Sequence, residues 1–223
     1  MAALEIIETE TGPRPSATII ILHGLGADGN DFVPFAQELD LSAIGPVRFV
    51  FPHAPVIPVT INNGYRMRAW YDIAGVDLTS RQDEAGLRKS MAEIEELLVR
   101  EKQGGVPAHR IVLAGFSQGC AIALMTGVRH QERLAGIVGM SGYLPLAQTT
   151  GAERNDANAL TPIFMGHGQQ DEVVDMARGK ASRDALRALG YEVQWHEYPM
   201  GHSVCMEEIE DLGRWLTKVL AKP

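Results

Sequence analysis

Gly115-Phe-Ser117-Gln-Gly119 sets a serine between two glycines, directly after the β-branched run Ile111 to Ala114 and before an alanine-rich stretch. The pentapeptide G-x-S-x-G carries little by itself. A strand before it and a helix after it turn it into the sharp bend that exposes a nucleophilic hydroxyl. Gly115 and Gly119 fit that bend because strand and helix approach there more closely than a Cβ permits. A serine hydroxyl attacks a carbonyl only when a base takes its proton and an acid orients the base. The chemistry in prospect is acyl transfer, and a histidine and a carboxylate must be found for it.

In strand–turn–helix serine enzymes the partners follow in the order Ser, Asp or Glu, His. Pro162 to Asp171 reads as a strand running into a glycine-containing loop, which puts Asp171 at the strand's C-terminal end. Open α/β sheets bind ligands at that edge. Asp175 competes for the role, but it leads directly into a helix and suits a helix start. Among seven histidines, His202 in Pro199-Met-Gly-His202-Ser follows the alternating strand Tyr191 to Tyr198 and precedes the last helix. His196 reads as a surface strand residue, His109 and His130 as exposed flanks, and His167 as a structural residue at a strand end. The oxyanion formed on attack needs backbone N–H donors. Gln118, at a helix N-terminus, supplies one; Leu25, in Leu22-His-Gly-Leu-Gly26, supplies the other.

These residues need a scaffold. Ala17 to Leu22, Val47 to Phe51, Ile111 to Ala114, Ile137 to Met140 and Ile163 to Met165 are short apolar runs, as strands buried on both faces require. Helical stretches alternate with them: Asn30 to Leu39, Ser80 to Lys102, Gln118 to Arg129, Met176 to Leu189 and Ser203 to Leu220. That alternation predicts an α/β fold, doubly wound around a mostly parallel sheet, as one domain over residues 1–223. Leu4 to Thr9 fits an antiparallel edge strand, and Asn62-Asn63-Gly64 marks a hairpin outside the alternation. The charges of the long helix, Glu84, Arg88, Lys89, Glu93, Glu95, Glu96, Arg100 and Glu101, read as a solvated face. Ile209, Leu212, Trp215 and Leu216 read as a core stripe.

Composition removes other classes of function. The 223 residues include 20 Lys and Arg against 28 Asp and Glu, a formal charge of −8. Such a chain lacks the basic footprint that nucleic acid or an anionic membrane attracts. No stretch approaches the ~18 apolar residues of a membrane span, so stable membrane insertion is not expected. Cys120 and Cys205 make no disulfide framework, and no metal or cofactor motif is present, so we expect neither. Cys120 reads as a small buried hydrophobe. The expectation is a cytoplasmic protein; a homodimer is left open.

Seven ordered motifs resemble the phospholipase/carboxylesterase family of α/β-hydrolases, which includes acyl-protein thioesterases and bacterial carboxylesterases. They are Leu22 to Asp28, Phe51-Pro-His-Ala-Pro55, Ala69-Trp-Tyr-Asp-Ile73, Gly115 to Gly119, Ser141-Gly-Tyr-Leu-Pro145, His167 to Asp171 and Tyr198 to His202. Cys120 departs from the glycine that members often carry. The resemblance implies the α/β-hydrolase fold without a large cap domain. By position it implies Ser117 as nucleophile, His202 as base, Asp171 as orienting acid, and Leu25 and Gln118 as oxyanion donors. The first expectation for activity is a serine carboxylesterase acting on short- to medium-chain esters through an acyl-enzyme. The alternatives are an acyl-protein thioesterase or lysophospholipase, and a non-catalytic binding protein on the same fold. With no lid domain, the roof over a small-molecule ester or acyl substrate must come from Pro52 to Val76 and Tyr143 to Leu160. Trp70, Ile73, Met67 and Leu144 are its expected substrate-binding residues.

Overall fold

The computed structural model describes residues 4–75 and 82–221. The strands are β1 (Ile6–Glu10), β2 (Ala17–Leu22), β3 (Val47–Pro52), β4 (Val56–Val59), β5 (Tyr65–Arg68), β6 (Ile111–Phe116), β7 (Gly136–Met140), β8 (Ile163–Gly168) and β9 (Val193–Tyr198). The helices are α1 (Val33–Glu38), α2 (Glu84–Gln103), α3 (Gln118–Gly127), α4 (Ala147–Glu153), α5 (Met176–Ala188) and α6 (Met206–Val219). Seven strands form one sheet in the order β1-β3-β2-β6-β7-β8-β9. Only β1 runs antiparallel, at the edge beside β3. The β4–β5 hairpin stands apart as its own two-stranded sheet.

Neighbouring strand residues serve opposite layers, as the two-residue period of a strand dictates. Ile19, Ile21, Phe49 and Phe51 face the α1 and α6 side, where Phe35, Leu212, Trp215 and Leu216 cover them. Ile20, Leu22, Val50 and Leu113 face the other side, against Leu87, Ile94 and Leu98 of α2 and the buried α3. Both faces are therefore dry, which is why the strands read as continuous apolar runs. The chain order reverses at β2, with β3 on one side and β6 on the other. Loops leaving the C-terminal ends of parallel strands diverge at such a point and leave a crevice.

Several expectations need correction. Ser80 and Arg81, the expected start of the long helix, lie outside the described residues, as does Val76. Helix α2 begins at Glu84, where the Asp83 carboxylate caps it by accepting from the Gly86 N–H. Its charges are not all solvated. Glu93 and Glu101 are 7% and 3% exposed. Glu101 turns inward to accept from Thr18 Oγ1 at 3.1 Å and to pair with Arg48 at 3.3 Å. His130 is buried, not an exposed flank, and its Nδ1 lies 2.7 Å from Glu95. Helix α4 had no apolar period to announce it; of its seven residues only Thr150 is buried.

Candidate active site

Ser117 joins β6 to α3 in a single residue. Its backbone sits at φ 56°, ψ −116°, and its N–H donates to the Met140 carbonyl of β7. A non-glycine residue at positive φ persists only where its surroundings hold it. Here the hold is steric. A Cβ on Gly115 would overlap the Gly119 carbonyl, and one on Gly119 would overlap the Leu22 carbonyl. Both glycines are thus needed for α3 to start against β6 and β2.

His202 lies in the loop between β9 and α6, and Asp171 in the loop after β8. His202 Nε2 is 2.9 Å from Ser117 Oγ, and its Nδ1 is 2.8 Å from Asp171 Oδ2. A carboxylate accepts, so the proton sits on Nδ1 and the Nε2 lone pair faces the serine hydroxyl. The other oxygen of Asp171 accepts from the Val173 and Val174 N–H groups at 2.9 and 2.8 Å. Those donors fix a carboxylate whose side chain is fully buried. The two loops are stitched together by the Gln169 and Gln170 N–H groups, which donate to the Tyr198 and Met200 carbonyls. Asp175 instead caps α5 through the Ala177 N–H.

His23 is a residue the sequence reading passed over. It is fully buried behind the loop that carries Leu25. Its Nε2 accepts from the Ala54 N–H at 3.0 Å, so Nδ1 carries the proton and donates to the Gly24 carbonyl at 2.7 Å. Burial lowers its pKa and keeps the ring neutral in this role. In a trans peptide the carbonyl and the following N–H point in opposite directions. Holding the Gly24 oxygen therefore turns the Leu25 N–H the other way. Neither that N–H nor the Gln118 N–H has a backbone acceptor among the described residues. The Gln118 side chain is occupied elsewhere: it accepts from the Trp70 N–H at 3.0 Å and donates to the Tyr71 carbonyl at 2.9 Å.

Two cavities meet at Ser117. One, of about 530 Å³, is lined by Phe32, Phe35, Phe116, His202, Val204 and Ile209 among others. The second, of about 250 Å³, is lined by Ile61, Tyr71, Ile73, Gln118, Tyr143 and Val174 among others. Leu25, Ser117 and Val173 border both. Of the four expected substrate-binding residues only Ile73 lines either of these two cavities. Trp70 is 1% exposed; its Nε1–H donates to the His23 carbonyl, so it braces the Leu25 loop from beneath. Leu144 is buried in the core on the α2–α3 side, and Met67 lines neither cavity. Phe32, Phe35 and Ile209 went unremarked as walls because their periodicity signals a core stripe and says nothing of the stripe's end.

Three histidines stand beside this site or apart from it. His167 is buried with Nε2 2.8 Å from the Val174 carbonyl, so it supports the Asp171 loop. His196 is partly buried, stacks on Phe164 and lies 3.2 Å from Asp211 of α6. His109 is exposed. Cys120 is buried on α3, where desolvation pushes its thiol pKa well up. Among the described residues no cluster of His, Cys, Asp and Glu could hold a metal ion.

The sequence profile of the phospholipase/carboxylesterase family matches residues 2–220. The chain belongs to that family. The phospholipase/carboxylesterase relatives include acyl-protein thioesterase 1 of Yarrowia lipolytica, 43% identical over 206 residues, 90% of this chain and 91% of the relative. Acyl-protein thioesterase 1 of Neurospora crassa is 40% identical over 94% of this chain and 89% of its own. Crystal structures agree. Arabidopsis thaliana SOBER1 superposes with a TM-score of 0.87 at 28% identity, covering 92% of this chain and 99% of that one. Zea mays acyl-protein thioesterase 2 gives 0.82 at 30% identity, covering 96% and 99%. The fold is that of an α/β-hydrolase, and the chain is a serine hydrolase of this family, acting on ester bonds.

Proposed function

We propose that this phospholipase/carboxylesterase family member is an acyl thioesterase of the acyl-protein thioesterase type, working through an acyl-enzyme on Ser117. The observation that carries the reading is the Ser117–His202–Asp171 relay, with links of 2.9 and 2.8 Å. Ser117 Oγ bonds to the substrate carbonyl carbon as its proton passes to His202 Nε2. The carbonyl π bond opens onto an oxyanion that the Leu25 and Gln118 N–H groups hold. As the carbonyl re-forms, the bond to sulfur or oxygen breaks, and His202 gives its proton to the departing atom. Water then repeats the sequence on the acyl-enzyme and releases the acid. Asp171 stabilises the imidazolium formed in both halves.

The relatives' names move thioesters ahead of the oxygen esters that the sequence alone put first. The second reading, a short- to medium-chain carboxylesterase, draws support from the modest 250 Å³ cavity. Thioesters and oxygen esters with one common acyl chain separate them. We expect the thioester to have the higher kcat/KM, and Ser117→Ala to lower both by at least ~10³-fold. A faster oxygen ester would favour the second reading; retention of a tenth of the rate in Ser117→Ala would place the nucleophile elsewhere. The two free thiols and the lack, among the described residues, of a helix able to cross a membrane fit the cytoplasmic setting we propose.

A further inference from the structure

We infer that the larger cavity is the leaving-group site, and that it selects substrates whose departing thiol or alcohol carries an uncharged apolar group. The inference rests on the acyl-enzyme reading above. The leaving atom must take its proton from His202 Nε2, so it has to stand on the His202 side of Ser117 Oγ. His202 lines the 530 Å³ cavity and not the 250 Å³ one. Gln118, one of the two oxyanion donors, lines only the smaller. With the oxyanion held at the Leu25 and Gln118 N–H groups, the acyl chain runs into the smaller cavity and the leaving group into the larger.

The chemistry of the larger cavity defines what fits. Phe32, Phe35, Phe116, Val204 and Ile209 make its walls apolar. Among the described residues, the one charged side chain that joins them, besides the His202 base, is the exposed Asp31 carboxylate. Among the described residues the lining offers an anionic leaving group no Lys or Arg, and Asp31 presents like charge. The leaving-group cavity is about twice the size of the acyl cavity. Substrate choice is thus written largely on the departing side. An apolar side chain next to an acylated cysteine in a peptide and the body of a small apolar thiol present the same chemistry.

The test holds the acyl group at butanoyl and varies the thiol: ethanethiol, 2-phenylethanethiol and 3-mercaptopropionate. We expect kcat/KM to rise at least tenfold from ethyl to phenylethyl, at roughly fourfold per buried methylene equivalent, and the anionic thioester to be the poorest. S-butanoyl cysteine peptides with Phe or Asp beside the cysteine form the second arm. A Phe preference there assigns the site to peptide leaving groups; a preference confined to free thiols assigns it to small molecules. Val204→Trp should fill the cavity and lower kcat/KM for the phenylethyl thioester more than for the ethyl one, so that the phenylethyl advantage is lost. Phe35→Leu should weaken the same advantage. A flat thiol profile in an enzyme that a fluorophosphonate still labels at Ser117, forming the phosphonyl adduct, would overturn this inference alone. Loss of the adduct would overturn the acyl-enzyme reading beneath it. If Ile61→Trp rather than Val204→Trp abolishes the phenylethyl preference, the two cavities are assigned the wrong way round.

Discussion

Asp171 and Asp175 lie one helical turn apart in the chain, yet the structure gives them unrelated partners. Asp171 holds His202 Nδ1 and accepts two backbone N–H groups, whereas Asp175 caps α5. An amide at Asp171 loses the charge that balances the imidazolium and can present the wrong tautomer to His202; the same change in a related triad lowered the rate by about 10⁴. Asp171→Asn should therefore lower kcat by orders of magnitude with the fold intact by circular dichroism. Asp175→Asn should leave kcat within about twofold, since Asn also caps helices. Damage from Asp175→Asn alone would show that the relay is misassigned. Ser117, Asp171 and His202 could be picked out from the sequence because the signals are local: each follows the end of a strand by at most four residues, has a glycine within three positions, and comes in the order the reaction requires. His23 could not, because its two partners, Ala54 and Gly24, reveal its work only once β2 and β3 lie side by side.

At the scale of elements, the strands were readable for a physical reason. Burial on both faces forces continuous apolar runs, and β2 was predicted at Ala17–Leu22 with both ends as found. Helix α4 was unreadable because it covers the molecule with polar residues. Helix α6 carries a more consequential feature. Glu208, in its first turn, is fully buried, and neither carboxyl oxygen has a hydrogen-bond partner among the described residues. Burial, with Asp211 nearby, pushes its pKa up from 4.5 to about 8. Between those values the folded chain holds a proton that the unfolded chain has released, so stability falls as pH rises from 4.5 to 8. Each pH unit across that window weakens the fold by about 1.4 kcal/mol. Glu208→Gln should match the parent at pH 4.5 and exceed it by a few kcal/mol at pH 8 in urea unfolding. Parallel pH dependences for the two proteins would refute this. Trp70 shows the opposite lesson. A tryptophan in a loop suggested a substrate wall, but it is core, so Trp70→Ala should destabilise by about 3–5 kcal/mol and slow all acyl lengths alike. A loss confined to long chains would return Trp70 to the groove.

Across the whole molecule, the loops at the C-terminal edge of the sheet build two apolar cavities on either side of one serine. Phe32 follows β2, Phe116 ends β6 and Val204 precedes α6, so no sequence neighbourhood announces the larger cavity. The smaller one sets an acyl-length profile: kcat/KM should rise from acetyl to medium chains and then level as the cavity fills, by up to ~0.8 kcal/mol per methylene. Ile61, 41% exposed on the hairpin, can be enlarged without disturbing the core. Ile61→Trp should shift the plateau to shorter chains and leave acetyl hydrolysis within about twofold, as a p-nitrophenyl ester series would reveal; an unchanged plateau would remove the smaller cavity from acyl binding. The predictions about activity all depend on the acyl group passing through Ser117. The most direct measurement is labelling with a fluorophosphonate followed by peptide mapping. The account predicts one phosphonyl adduct per chain, on Ser117, with activity falling in proportion to labelling. Full activity in a chain labelled at Ser117, or inactivation with the adduct on another residue, would contradict it.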